Sequence, residues 1–416
     1  MTNLIKLDKS QLIAITQKFS QKAIIANVQS FGSGNINDTF LASLQGELAQ
    51  GELAQGELAQ GELAQGELAQ GELAQGELAQ GELVQEIEAK HFILQRINTD
   101  VFREPQLVMQ NMRIYANHVR DRLQKNPLER RWEVPQVLQT SQGLDYWQTE
   151  DNQFWRSISF IEGSQSFDTI SNMHQAHEVG YALGTFHHLT SDLAPEKLAD
   201  TLEGFHITPL YLSQYQQVLA KSNPTRSPEV KPEVNYCLQF VSDRHGLAHI
   251  LEDAKLLGKL RLRTMHGDPK VNNILFDQQT QLAVGVIDLD TVKSGLVHYD
   301  IGDCLRSGCN LAGEEVEQWE SVRFDTELCQ GILQGYLSIA RSFLTECDYA
   351  YIYDAIRVIT FELGLRFFTD YLAGNRYFHI KYPEHNLQRS LVQFRLVESI
   401  EAQESAIKKI IKAISA

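Results

Sequence analysis

Two runs, Met265-His-Gly-Asp-Pro-Lys-Val-Asn-Asn-Ile-Leu-Phe276 and Val284-Gly-Val-Ile-Asp-Leu-Asp290, set the chemistry of this chain. Asp268 precedes Asn273 by five positions. Ile274 to Phe276 and Leu282 to Ile287 have the apolar, β-branched content of two strands, with Asp277-Gln-Gln-Thr-Gln281 as the turn between them. Such a hairpin returns Asp288 beside Asn273. A carboxylate and an amide oxygen brought together in this way are hard ligands suited to Mg²⁺, which favours oxygen and keeps room for phosphate and water. Asp268 is left free to receive a proton. Either run alone suits an ordinary turn or a buried strand end; the two in this order point to a site.

Working outward, the segment before these runs is strand-rich. Phe31 to Leu44 and Ile87 to Ile97 read as strands of one sheet, and Trp147 to Ile161 reads as further strand broken by a polar Asp-Asn-Gln turn. Glu104 to Gln124 has helical spacing of apolar residues, with Pro105 suited to a first turn. Beyond Gly163 the period becomes helical, over His174 to His188, Ile207 to Ala220, Pro232 to Gly258 and most of the segment from Thr326 to Ala416. This ordering predicts an α+β chain of two lobes joined near Glu162, residues 1–162 and 163–416, with a cleft between them.

The N-terminal lobe is interrupted. From Gly46 to Gln85 the sequence reads GELAQ seven times and then GELVQ. A helix with a five-residue period rotates its leucines about 140° per repeat, so they form no single stripe. The unit also resembles the pentapeptide-repeat family, with Gly46, Glu47 and Leu48 in its small, acidic and inward positions. The flanking segments read as neighbouring antiparallel strands, which makes residues 46–85 an insertion in a surface loop.

The repeat supplies eight of the 53 acidic residues and therefore half of the net charge of −16. A negative chain repels phosphate backbones and anionic headgroups, so neither nucleic acid nor membrane is expected as a partner. With 43% hydrophobic residues and a mean hydropathy of −0.27, the 416 residues have ample material for a core. No run approaches the roughly 20 apolar residues of a membrane span, and the start lacks the apolar core of a signal peptide, so a cytoplasmic location is expected. Cys237, Cys304, Cys309, Cys329 and Cys347 suit neither a disulfide framework nor a paired zinc motif and are expected to be reduced thiols.

The pattern His266-Gly-Asp, four intervening residues and Asn273, then Ile287-Asp-Leu-Asp290, resembles the aminoglycoside phosphotransferase and choline kinase superfamily, relatives of the protein kinases. The resemblance implies a two-lobed protein-kinase-like fold, ATP as phosphoryl donor and Mg²⁺ as cofactor. It implies that Asp268 orients and deprotonates an acceptor hydroxyl, that Asn273 and Asp288 bind Mg²⁺ with help from Asp290, and that Lys270 contacts the transferred phosphoryl group. His266 is implied to be a structural hydrogen-bonding residue. His187-His188, with no carboxylate spaced to join them, suit helix capping or packing better than metal binding. On the nucleotide side, Gly32, Ser33 and Gly34 would form the phosphate-covering loop and Arg96 would stand where protein kinases place a lysine. Glu104 and Gln110 leave the acidic partner of Arg96 unassigned. Ser159, Ile161 and Glu162 fall on the hinge that would hold adenine through its backbone.

Several segments are also similar to bacterial N-acetylhexosamine 1-kinases: Gly34-Asn-Ile-Asn-Asp-Thr39, Phe92-Ile-Leu-Gln-Arg-Ile-Asn98, Asp300-Ile-Gly-Asp303 and Gly364-Leu-Arg-Phe-Phe-Thr-Asp-Tyr-Leu372. This implies phosphorylation of the anomeric hydroxyl of an amino sugar, a small-molecule partner. Asp38, Arg366 and Asp370, with Asn375, are candidate contacts to that sugar; salt bridges on a helix face are the competing reading for the late residues. Choline, an aminoglycoside or another sugar remain as alternative acceptors, since Tyr371, Tyr377 and Phe378 could build a cage for an ammonium group. A non-catalytic nucleotide-binding regulator is a further alternative, against which the intact Asp268, Asn273 and Asp288 speak.

Overall fold

The computed structural model describes residues 8–20, 24–32, 36–45, 91–222 and 231–415. The pentapeptide repeat, Ser33 and Gly34 lie outside the described residues. Helix α1 (Lys9–Thr16) starts on a reciprocal cap in which Asp8 and Gln11 each bond the other's backbone. Its Leu12 and Ile15 pack on an antiparallel sheet. The strands are β1 (Ile25–Ser30), β2 (Asp38–Leu44), β3 (His91–Ile97), β4 (Val137–Leu138), β5 (Trp147–Gln148) and β6 (Phe154–Ser159), ordered β1-β2-β3-β6-β4 with β5 also on β6. Alternation along β3 sends Phe92 and Leu94 towards α1 and Trp155. The other face meets α2 (Pro105–Lys125) through Met109, Met112 and Tyr115. Strands β2 and β3 pair in the register Asp38 with Arg96 and Ser43 with His91, so the repeat connects directly hydrogen-bonded neighbours.

The chain then becomes mainly helical. A short strand β7 (Ser164–Gln165) leads to α3 (Met173–Leu189), α4 (Thr208–Ser222), α5 (Pro232–Arg244) and α6 (Ile250–Leu256). Next come β8 (Arg263–Met265), the hairpin β9 (Ile274–Asp277) and β10 (Ala283–Val286), and β11 (Lys293–Gly295). The remainder comprises α7 (Val297–Gly308), α8 (Thr326–Ala340), α9 (Glu346–Ala350), α10 (Ile352–Leu372), α11 (His385–Ala402) and α12 (Glu404–Ser415). Helix α10 buries residues around most of its circumference, from Ile352 to Asp370, as expected of a helix enclosed by others. Helices α3 and α8 touch backbone to backbone: a Cβ on Gly180 would fall 1.8 Å from Ile332 O, and one on Gly335 would fall 1.9 Å from His177 O.

The fold is the two-lobed, protein-kinase-like α+β arrangement that the sequence implies. One helix differs. The periodic run Pro232 to Gly258 is divided by a 3₁₀ turn at His245–His249, where Gly246 weakens helix propagation and the burial of Leu247 and Ala248 turns the chain. All five cysteines are free thiols, buried except for Cys347. Among the described residues no helix is long and apolar enough to cross a membrane.

Candidate active site

The loop after β8 is held by buried groups. Gly267 has φ +89°, and a Cβ there would come 2.9 Å from Thr291 Cβ, so both backbone angle and space require glycine. The backbone N–H groups of His266 and Gly267 donate to the two carboxylate oxygens of Asp300 on α7, at 2.6 and 2.8 Å. His187 Nε2 lies 2.8 Å from the same carboxylate, and its Nδ1 lies 3.0 Å from Tyr336 Oη. The carboxylate partner that no local spacing supplies for His187 thus comes from 113 residues away. Burial pushes the Asp300 carboxyl upward, but the His187 hydrogen bond and charge outweigh it and hold the group below its ordinary value.

His266 donates from Nε2 to Ile287 O at 2.9 Å, leaving Nδ1 to accept the Asp268 N–H at 3.2 Å. Both ring nitrogens are engaged, and burial lowers its pKa against the pull of Asp300, so it is a neutral spacer rather than a base. A second histidine braces the loop from below. His206 Nε2 lies 2.7 Å from Gly267 O, while Nδ1 lies 2.9 Å from Glu362 on α10. Thr208 donates to the other oxygen of Glu362 at 2.6 Å. Burial opposes the charge on His206, yet Glu362 raises its pKa above the ordinary value.

Asp268, Lys270, Asn273 and Asp288 come together. Lys270 Nζ donates to Asp268 Oδ2 at 2.7 Å, and Asn273 Nδ2 donates to Asp268 O at 2.7 Å and Oδ2 at 3.3 Å. Hairpin pairing of Val286 with Ile274 continues into a bond from Ile287 N to Asn273 O at 2.9 Å, which brings Asp288 to this place. Asp288 has left-handed backbone, φ 63°, and begins the 3₁₀ turn Leu289–Thr291. The residue is exposed, yet protein crowds its carboxylate; that crowding, then the Asp290 charge, push its pKa up. Lys270 is partly exposed. Burial disfavours its charge, but Asp268 and Asp288 raise its pKa, so it is a cation.

Asp290 is turned elsewhere. Its Oδ1 lies 2.5 Å from Arg156 Nη2, an ion pair without hydrogen-bond alignment, and its Oδ2 accepts from Asn37 Nδ2 at 2.6 Å. Arg156 sits on β6 and bonds Gln95 through Nε at 2.9 Å; Asn37 also receives the Asn98 N–H. Asp290 therefore ties the N-terminal sheet to the loop carrying Asp288. Sequence reasoning missed Arg156 and Asn37, although an arginine within the apolar strand Phe154–Ser159 is a readable sign of a buried charge partner.

Arg96 is paired across strands with Asp38, Nε to Oδ2 at 2.8 Å. Asp38 is thus the acid of the Arg96 pair, a role the sequence left open. Gly32, with φ 73°, is the described residue of the glycine loop. The ring of Phe31, just before it, meets Phe160 edge-on at 5.9 Å. At the expected hinge, Ser159 exchanges hydrogen bonds with Gln136, Ile161 O accepts from Ser164 Oγ at 2.6 Å, and Glu162 reaches His91 at 2.9 Å.

On α10, Arg366 lies among aromatic rings, its guanidinium carbon 5.0 Å from the centre of Tyr211, 5.3 Å from Phe205 and 5.5 Å from Phe378. Asp370, one turn on, accepts the backbone N–H groups of Arg376, Tyr377 and Phe378 and the Asn386 amide at 2.8–2.9 Å. Its oxygens are occupied in shaping the chain that carries Phe378. Asn375, with φ 56°, donates to Pro383 O in the same turn.

Solved structures share this fold at low identity. A choline kinase from Cryptosporidium parvum aligns over 98% of this chain and 100% of its own, with 14% identity and a TM-score of 0.55. An aminoglycoside phosphotransferase from Alicyclobacillus acidocaldarius aligns over 96% of each chain, with 14% identity and a TM-score of 0.57. An ethanolamine kinase from Plasmodium vivax covers 93% of this chain and 90% of its own, with 10% identity and a TM-score of 0.52. The model of the phosphotransferase enzyme family matches residues 73–337, more than half of the sequence and the whole Asp268 to Asp290 constellation, and the chain belongs to that family, an ATP-dependent phosphotransferase with a hydroxyl group as acceptor.

Proposed function

We propose that this enzyme transfers the γ-phosphoryl group of ATP to the anomeric hydroxyl of an N-acetylhexosamine, giving a sugar 1-phosphate. The observation that carries the acceptor reading is the surroundings of Arg366. Three aromatic rings around one cation form the enclosure a quaternary ammonium needs, and the chain's own guanidinium already fills it. Its N–H donors suit hydroxyl and acetamido oxygens instead. Asp370 acts on the acceptor through this wall, by holding Phe378 in place.

Asp268 accepts the proton of the acceptor hydroxyl as that oxygen attacks the γ-phosphorus. A new O–P bond forms, the bond to the β,γ-bridging oxygen breaks, and ADP leaves with the electron pair. Lys270, cationic and 2.7 Å from Asp268, supplies positive charge beside the group in transit. Asn273 and Asp288 fit Mg²⁺: Asn273 turns its Nδ2 to Asp268 and keeps an amide oxygen as its other end, and Asp288 is an exposed carboxylate beside it. Mg²⁺ bound there would neutralise phosphate charge. Asp290 supports that site by fixing the loop that carries Asp288. In this reading Arg96, with Asp38, and Gly32 serve the phosphates, and the backbone of Ser159, Ile161 and Glu162 receives adenine.

An ADP-release screen with ATP and Mg²⁺ tests the assignment, using N-acetylglucosamine, N-acetylgalactosamine, glucose, choline, homoserine and aminoglycosides. The hexosamines are expected to lead by about tenfold or more in kcat/KM. A lead of that size for choline or an aminoglycoside would replace the acceptor and leave the phosphotransferase standing.

A further inference from the structure

Helix α7 lies along the Asp268 loop on one face. Asp300 holds the His266 and Gly267 N–H groups, and Ser307, seven residues on, accepts from Val271 N at 3.4 Å. Residues three and seven positions apart share a helix face, so Asp303 stands between these two contacts and opposite Asp268. Asp268 and His206 are both within electrostatic reach of its carboxylate. Asp303 is only 6% exposed. Its Oδ1 accepts from Arg306 Nε at 2.8 Å, and Arg306 is tied at its far end to Glu314. Its Oδ2 is buried and has no hydrogen-bond partner.

A buried carboxylate oxygen without a donor is costly, so it calls for a hydrogen from outside the protein, and beside Asp268 a bound acceptor can supply one. We propose that Asp303 is an acceptor-binding residue, whose Oδ2 receives a hydrogen bond from a second hydroxyl or N–H of the substrate while Asp268 takes the proton of the first. Two carboxylates facing one small molecule select an acceptor with at least two donors. A monohydroxy quaternary amine such as choline has only one. The proposal rests on the phosphotransferase reading of the Asp268 site and is independent of which polyhydroxylated acceptor is used.

The test uses the full chain with N-acetylglucosamine, or with whichever acceptor turns over best. Asp303→Asn keeps the shape and an oxygen for Arg306, and Asp303→Ser is made beside it. The expected result is an acceptor KM raised about 10- to 100-fold, with ADP affinity by calorimetry unchanged. Among monodeoxy analogues, one should lose on the native enzyme what Asp303→Asn loses with the full substrate, and lose nothing further on the variant, since the same hydrogen bond is removed twice. An unchanged acceptor KM, additive losses for every analogue, choline as the best native substrate, or failure of both variants to fold would overturn the role. Absence of turnover with every acceptor on the native enzyme would instead remove the phosphotransferase reading, and this proposal with it.

Discussion

Arg156 and Asp290 meet at 2.5 Å with side chains 1% and 3% exposed, joining the N-terminal sheet to the turn that carries Asp288. A buried ion pair is no great source of net stability, but removing one member strands the other charge in a dry site. Asn37 alone cannot neutralise Asp290, because an amide donates a hydrogen bond without a charge.

Arg156→Met is therefore expected to lower unfolding stability by about 3–5 kcal/mol. Adding Asp290→Leu should recover part of that loss, because no charge is then left unpaired. Urea unfolding of the two single variants and the double variant checks this. Additive losses would mean that the two side chains act on the fold separately.

In the proposed reaction Asp268 meets the acceptor rather than the nucleotide. Asp268→Asn is expected to reduce kcat by about 10²- to 10⁴-fold while ADP affinity, measured by calorimetry, stays within about twofold of the native enzyme. Turnover close to the native rate would show that the proton is taken by another group.

The parts of the site joined by short spacings were legible in the sequence. Asp268, Asn273 and Asp288 are linked by one loop and one hairpin, so their meeting follows from a turn and two strands. What could not be read depends on distant pairing. Asp38 looks like a substrate contact until β2 and β3 are laid side by side, which places it opposite Arg96. Asp370 looks like a polar residue facing a ligand until the chain after α10 folds back and gives it three backbone N–H groups. Local periodicity also ran α5 into α6, because apolar spacing continues through the turn at Gly246. Fold class survives such errors because it depends on the order of strands and helices, not on their partners.

The His206–Glu362 pair gives the stability of the loop a pH dependence. His206 is raised above its ordinary 6.5, so its contribution is complete below about 6.5 and lost as pH rises through the folded value. Glu362, despite burial, is lowered below 4.5 mainly by His206, so its contribution is present above about 4.5 and lost as pH falls through its folded value. Tyr299 stacks on the imidazole at 5.3 Å and Asp303 adds a favourable charge. The stability difference between the native chain and His206→Asn is therefore expected to be largest between about pH 4.5 and 6.5 and to shrink above it. Thermal unfolding from pH 4.5 to 9 reads this directly. A difference that stays constant with pH would mean that the imidazole acts only through its neutral hydrogen bonds.

Residues 46–85 join strands whose pairing already brings Ser43 opposite His91. Removing the 40 residues leaves Gln45 and residues 86–90 between Leu44 and His91, enough for a tight antiparallel connection. Closure of the shorter loop costs less chain entropy, by about 2 kcal/mol on logarithmic scaling. Neither Arg96 nor Asp38 changes its place in the sheet by this deletion, because both stand at the opposite end of the β2–β3 pair from the connection. The shortened enzyme is expected to keep kcat and both KM values within about twofold, with a thermal midpoint equal to or above that of the full chain. Loss of turnover at an unchanged midpoint would place the repeat at the site, whereas a lowered midpoint would show that it packs on the sheet and contributes to the fold.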